Sequence, residues 1–205
     1  APPTMRREET TLWLGRKAHL VHYPLRGGAV INVVAIMAEE FHAGEADFWS
    51  SPGDRSFLGA RFSGWDEAAQ DLLRAAPAWR KWPLFDCNPI ASWVAGRVAL
   101  MGDAAHPMLP FLAQGAAQAI EDAAALGKVL TRGQNIEASL HAYQEARCPR
   151  AARVQRESRR QAKLYHLGGP AALLRDMALR ALDPQKILAR YDWLYDARHA
   201  NGHED

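Results

Sequence analysis

Residues 97–120 read RVALMGDAAHPMLPFLAQGAAQAI, and no other stretch limits the fold so sharply. A short β-prone run, Val98 to Met101, gives way to Gly102-Asp103, crosses two prolines, and enters an alanine-rich segment whose helix begins near Gln114 or Gly115. A strand end and a helix start therefore converge on one place. Ligands of α/β sheets lie beyond strand ends, where an Asp such as Asp103 accepts hydrogen bonds from hydroxyls. Capping a helix or turn is the competing use of an Asp there. The N–H groups of Gly115 and Ala116 stand at the positive end of the helix and favour a ligand oxygen with partial negative charge. Gly115 has no Cβ, so a flat ring can approach the backbone.

Upstream, TTLWLG, HLVHYPL and AVINVVAIMA read as strands, with Arg26-Gly27-Gly28 as the tight connection of a hairpin from about His19 to Met37. Side chains alternate along a strand, so His19, Val21 and Tyr23 share one face of HLVHYPL and Leu20, His22 and Pro24 the other. Residues 41–96 are mixed. Trp49, Trp65, Trp79, Trp82 and Trp93 read as plugs between a sheet and its covering helices, and DEAAQDLLRAAPAW as a short amphipathic helix stopped by Pro77. The remainder is helical, with segments at 114–131, 135–147, 150–166, 171–182 and 184–194. In the first of these, Ala116, Ile120, Ala123, Gly127 and Leu130 predict a buried stripe against a sheet. The whole is an α+β chain in three parts: a sheet portion over 1–95, a strand-loop-helix unit over 96–131 and a helical region over 132–205.

Composition narrows the partners. With 205 residues, 48% hydrophobic, 23% charged and a net charge of +2, the chain reads as an ordinary globular one. No apolar run approaches the roughly 20 residues of a membrane span and the N-terminus lacks a signal-peptide core, so a cytoplasmic protein without membrane contact is expected. Arg147, Arg150, Arg153, Arg156 and Arg159 recur every third residue, which turns each about 60° back from the last around a helix. They spiral instead of lining one phosphate-tracking face, so no nucleic acid is expected and each arginine should find its own acidic or carbonyl partner. Cys87 and Cys148 lie far apart with no CxxC partner and read as reduced packing residues. No metal site is expected, because His19 and His22 face opposite ways on a strand. A hydrolase built on Asp103 and His106 would lack a GxSxG nucleophile.

The stretch GRVALMGDAAHPMLPFLAQGAAQAIEDAAAL resembles the second flavin-binding motif of the FAD-dependent aromatic hydroxylases, and PFLAQGAAQAIEDA is similar to the salicylate hydroxylase and 3-hydroxybenzoate 6-hydroxylase branch. Further similarity lies in TLWLGRKAHLVHYPLRGG, ARVQRESRRQ, RDMALR and WLYDAR. The resemblance implies that Gly102-Asp103 meets the ribityl or pyrophosphate region of FAD, that Pro107 and Pro110 shape the turn beside the isoalloxazine, and that Gly115 and Ala116 offer N–H groups to its pyrimidine edge. It implies His19, Tyr23 and Gln114 as catalytic residues on the substrate side. His19 suits the base role because imidazole titrates near neutrality; a packed strand residue is its other reading. The implied activity is FAD- and NADH- or NADPH-dependent hydroxylation of a phenolic acid with O2.

The family's GxGxxG fingerprint, which opens the unit holding the ADP part of FAD, does not occur, nor does an Asp-Gly dipeptide. The chain therefore reads as the C-terminal half of such an enzyme, with an N-terminal FAD-binding half as its missing partner. The strand at Val98 to Met101 would pair in a parallel sheet with strands of that half. A catalytically silent module that only folds or binds a partner is the alternative. A homo-oligomer is compatible with the sequence, which does not specify the state.

Overall fold

The computed structural model describes residues 9–39, 51–132 and 135–195. Their contacts fall into two compact units, Ala1–Pro83 with Tyr165–Leu174, and Leu84–Leu164 with Arg175–Asp205.

In the first unit, β-branched and aromatic residues at alternate positions build an antiparallel sheet of β1 (Thr11–Gly15), β2 (Ala18–Leu25) and β3 (Val30–Met37), in that order. The register sets Leu20 between Trp13 and Ala35, and His19 between Leu14 and Ile36. Arg26, Gly27 and Gly28 take φ values of 52°, 63° and 85°, a left-handed run that glycine adopts at little cost. The expected hairpin is present. One face of the sheet, through Ala18 and Leu20, meets Leu58 of α1 (Arg55–Arg61), Phe62 just beyond it, and Leu72 and Leu73 of α2 (Glu67–Ala75). Burying side chains of that size is worth roughly 1.5–3 kcal/mol apiece. Trp65 and Trp79 pack on this cluster as plugs, and the Trp65 ring fills the space a Cβ on Gly15 would need. Trp82 instead is exposed, and Trp49 lies outside the described residues.

Asp66 caps α2 by accepting the Ala68 N–H at 2.9 Å, and the helix ends at Ala76, extended ahead of Pro77. Helix α1 has too few turns to show a period. Its start is fixed by Asp54, whose Oδ1 accepts the Ser56 N–H at 2.8 Å. Strands β4 (Ser51–Pro52) and β5 (Arg80–Lys81) pair antiparallel.

The second unit is mostly helical: α3 (Gly115–Arg132), α4 (Ile136–Tyr165, whose last residue belongs to the first unit), the later part of α5 (Gly169–Ala181), α6 (Pro184–Ala189) and α7 (Asp192–Tyr195). Three expectations need correction. The run Val98 to Met101 contributes only the short β7 (Val98–Ala99), paired antiparallel with β6 (Val94–Ala95) because Gly96 at φ +55° folds the chain straight back. The helices at 135–147 and 150–166 are one 30-residue helix. Pro149 removes one backbone hydrogen bond, but Arg147 and Ala151 on either side are fully buried and hold the helix through. Finally, the stripe Ala116, Ile120, Ala123, Gly127 and Leu130 is exposed, Ile120 by 70%. The buried face of α3 is Gln118 and Asp122, followed by Ala125, Leu126 and Val129, which pack with Trp93, Ala105, Tyr143 and Ala151. Periodicity of apolar residues pointed to the wrong face because polar partners on α4 claim the other one.

Cys87 and Cys148 are free thiols. Among the described residues, no helix is long and apolar enough to cross a membrane.

Candidate functional site

Gly102 leaves β7 at φ +59°, the left-handed region that favours glycine. Its carbonyl accepts the N–H groups of both Ala105 and His106 at 2.9 Å, closing a tight turn over Gly102–Ala104. This turn exposes Asp103 while burying Gly102, Ala105 and His106. Pro110 opens a second short turn, Pro110–Leu112, and Ala113 at φ +53° redirects the chain into α3. Gly115 is the first residue of α3, and Gln114, buried just before it, accepts the Gln118 N–H at 2.9 Å. A Cβ built on Gly115 would stand 3.9 Å from Asp103 Oδ1. The Asp103 carboxylate and the amino end of α3 are therefore brought together, as the sequence required. A helix's first N–H groups have no partner within the helix, so acceptor and donors face the same space.

The loop is held from behind by residues that sequence reasoning missed. Asp122 of α3, fully buried, receives the Gly102 N–H (2.9 Å) and His106 Nε2–H (2.6 Å) on Oδ2 and Arg147 Nε–H (2.8 Å) on Oδ1. Burial alone would raise its pKa, but the hydrogen bonds from His106, Gly102 and Arg147 outweigh it and hold the carboxyl below the usual range. Arg147 also reaches Glu121 (2.5 Å) and the Gln118 carbonyl and side-chain oxygens. Glu121 behaves alike: burial raises its pKa, while Arg150 and Arg147 pull it lower still. On the far side, α4 donates from Gln155 Nε2 to the Pro107 carbonyl (2.9 Å) and from Ser158 Oγ to the Leu109 carbonyl (2.5 Å). A signal existed. Asp is a poor residue for a helix interior, so Glu121-Asp122 inside an alanine-rich helix asks for tertiary cations.

The arginines point to different sides, as their spiral predicts, but not each to a partner of its own: Arg147 and Arg150 share Glu121. Arg150 binds Glu121 and the Trp193 and Leu194 carbonyls, Arg153 lies 3.7 Å over the Trp193 ring, and Arg159 binds Asp86 at 2.5 Å. His106 pairs with Asp122 and not with Asp103, which removes the hydrolase arrangement.

In the first unit, His19 and Tyr23 lie on the sheet face opposite the helix-covered core. Tyr23 is half-buried. His19 is fully buried, its Nδ1 2.9 Å from His166 Nε2 and its ring edge-on to Tyr165. Burial first, then the neighbouring His166, lower its pKa to about 4. His22, on the core face, accepts the Trp13 indole N–H on Nδ1 at 3.0 Å. Among the described residues no group of three His, Cys, Asp or Glu side chains could hold a metal ion.

The turn-and-helix site thus sets a carboxylate acceptor beside the first N–H groups of α3 at a position without a Cβ. Residues 66–158 match the family model for an FAD binding domain. The chain is 35% identical to a 3-hydroxybenzoate 6-hydroxylase of Polaromonas naphthalenivorans (strain CJ2), over 95% of this chain and 48% of the relative. It is 36% identical to a salicylate hydroxylase of Pseudomonas putida, over 90% of this chain and 44% of the relative. In three dimensions it matches a salicylate hydroxylase substrate complex with a TM-score of 0.75 at 30% identity, covering 93% of this chain and 49% of that one. A Klebsiella pneumoniae HpxO complexed with FAD and uric acid matches with a TM-score of 0.73 at 27% identity, over 89% and 46%. The chain spans about half the length of the curated relatives it matches. Along nearly all of its length the chain is thus similar to hydroxylases of the salicylate hydroxylase and 3-hydroxybenzoate 6-hydroxylase type, and within that length it matches an FAD binding domain.

Proposed function

We propose that this chain is the C-terminal portion of a monooxygenase that hydroxylates a phenolic acid of the salicylate or hydroxybenzoate kind. The observation that carries the reading is the approach of Asp103 Oδ1 to the Cβ-free start of α3 at Gly115. In this reading Gly102 and Asp103 take the ribityl or pyrophosphate region, with Asp103 accepting hydroxyl hydrogen bonds. Gly115 and Ala116 present N–H groups to the pyrimidine edge, where the helix end favours negative charge. Pro107 and Pro110 fix the turn beside the ring. Bound FAD would supply the redox chemistry, with NADH or NADPH as electron source and O2 as oxidant.

On the substrate side we assign His19, Tyr23 and Gln114. His19 is neutral at pH 7, because its pKa is lowered to about 4, so its part is to accept a hydrogen bond from the phenol; burial makes it a weaker base than the near-neutral imidazole the sequence suggested. The exposed stripe of α3 from Ala116 to Leu130 is assigned to packing against the half that holds the ADP part of FAD.

Titration of FAD by fluorescence tests the reading. The complete flavoprotein should bind tightly, whereas the 205-residue chain alone should show no saturation near about 1 μM, because its surviving contacts give little surplus over the cost of immobilising a long cofactor. A complete protein that fails to retain FAD would overturn it.

A further inference from the structure

The loop Gly102–Pro110 carries the groups assigned to FAD, yet nothing about Asp103 itself explains where it stands. Asp103 is exposed at the tip of a turn, and its side chain makes no hydrogen bond with another described residue that would fix it. What fixes the turn lies underneath. Asp122 accepts from three donors, two from the turn and one from α4: the Gly102 N–H at the mouth of the turn, His106 Nε2–H at its exit, and Arg147 Nε–H.

We propose that Asp122 is a positioning residue for FAD binding: its buried carboxylate clamps both ends of the Gly102–His106 turn and so sets Asp103 against the start of α3. The proposal rests on the flavin reading of the site given above.

Two features make this a device for position and not only for packing. First, the clamp is single-valued. The carboxylate can only accept, so His106 carries its proton on Nε2. His106 Nδ1 is buried and has no hydrogen-bond partner among the described residues, so the ring's one polar tie is to Asp122. Second, the clamp is itself braced. Arg147 is fully buried and holds Asp122, Glu121 and Gln118 at once, all on α3, with Glu121 at the edge of its buried face. The carboxylate thus cannot swing toward another donor without breaking the α3–α4 contact. Charge-assisted hydrogen bonds of this kind are short and directional, which is what transmits the position of α3 to the turn.

A neutral amide cannot replace the carboxylate. In Asp122→Asn the amide NH2 must face either Arg147 Nε–H or the pair formed by Gly102 and His106, and donor meets donor either way. His106→Gln keeps a donor near the Nε2 position, whereas His106→Leu removes it.

The test is a double-mutant cycle in the complete FAD-binding protein, read by FAD titration and by hydrogen exchange of the Gly102 amide. Asp122→Asn should weaken FAD binding about tenfold in the parent and less than about twofold in an Asp103→Ala background, since coupled neighbours are not additive. The Gly102 amide should lose protection in Asp122→Asn. His106→Leu should show the same pattern and His106→Gln should restore affinity, so the proposal stays testable if Asp122→Asn does not fold. Equal losses in both backgrounds would overturn the proposal and leave the flavin reading standing. A parent that binds no FAD would overturn the flavin reading, and this proposal with it.

Discussion

Each unit buries a histidine completely, and the two are given opposite partners. In the first unit His19 faces another imidazole, His166, at 2.9 Å. In the second, His106 faces the Asp122 carboxylate at 2.6 Å, itself braced by Arg147. An imidazole beside an imidazole can share one proton, and a second proton meets both burial and repulsion. His19 is accordingly lowered to about 4, and His166 is lowered by burial and the Arg61 charge. An imidazole beside an ionised carboxylate donates a strong, fixed hydrogen bond. Burial of a histidine thus makes one region sensitive to acid and the other rigid, and the partner decides which.

The comparison breaks first at Arg147. In Arg147→Met the buried Asp122 loses its brace and Glu121 one of its two cations. Removing one partner of a buried ion pair costs about 3–5 kcal/mol. Denaturant unfolding of the chain should show a loss of that order, far above any effect of changing His19. A loss under about 1 kcal/mol would mean the network is not what holds the second unit together.

A smaller effect is expected at Asp103, which we propose accepts hydroxyl hydrogen bonds from FAD. Asp103→Ala removes a charge-assisted acceptor of about 1.5–3 kcal/mol without touching the clamp. The complete flavoprotein should lose FAD, by absorbance of the purified protein, while its affinity for phenol changes little. Equal flavin occupancy in mutant and parent would count against the assignment of Asp103.

The acid-sensitive region is tested by pH. His19 titrates near 6.5 when unfolded and about 4 when folded, so between those values the unfolded chain binds more protons. Stability then rises with pH across that window and is flat above it, with a slope of up to about 1.4 kcal/mol per pH unit for each imidazole held neutral. Thermal unfolding from pH 4 to 7 should show the rise in the parent and a shallower one in His19→Gln. Parallel profiles would remove His19 from the account.

These contrasts mark what the sequence could and could not disclose. The hairpin and its two faces were legible because a period of two in residues 18–37 leaves one solution. The turn at Gly102 and the helix start at Gly115 were legible because glycine, proline and alanine speak locally. The buried face of α3 was not. Apolar spacing chose Ile120 and Leu130, both exposed, over Gln118 and Asp122, both buried, because a polar face is buried only when a distant residue pairs with it, and Arg147 lies 25 positions beyond Asp122. The continuity of α4 through Pro149 was hidden for the same reason: local breaking lost to burial on both sides. The partner of His19 likewise lies 147 residues away, beyond any local pattern.

A third histidine sharpens the contrast at the smallest scale. His22, one position past the end of a turn of alternation from His19, faces the core and accepts the Trp13 indole N–H on Nδ1 at 3.0 Å. Its pKa is lowered by burial, but unlike His19 it has a neutral donor for a partner, one that also fixes the proton on Nε2. Protonating His22 would put an N–H against the indole N–H, so the bond adds to the resistance that burial supplies. In Trp13→Phe an aromatic ring remains but the indole N–H goes together with the five-membered ring, so the acceptor on His22 is left unpaired and the hydrogen-bond loss sets the lower limit of the effect. The cost should be about 1 kcal/mol, read as a shift of about 2–4 °C in the unfolding temperature of a chain this size. The pKa of His22, followed by NMR, should rise toward its ordinary value, because the cation no longer meets the indole. A fall in stability with no movement of the His22 titration would show that burial alone sets its charge state, and that the choice of partner matters only where the partner is itself ionisable.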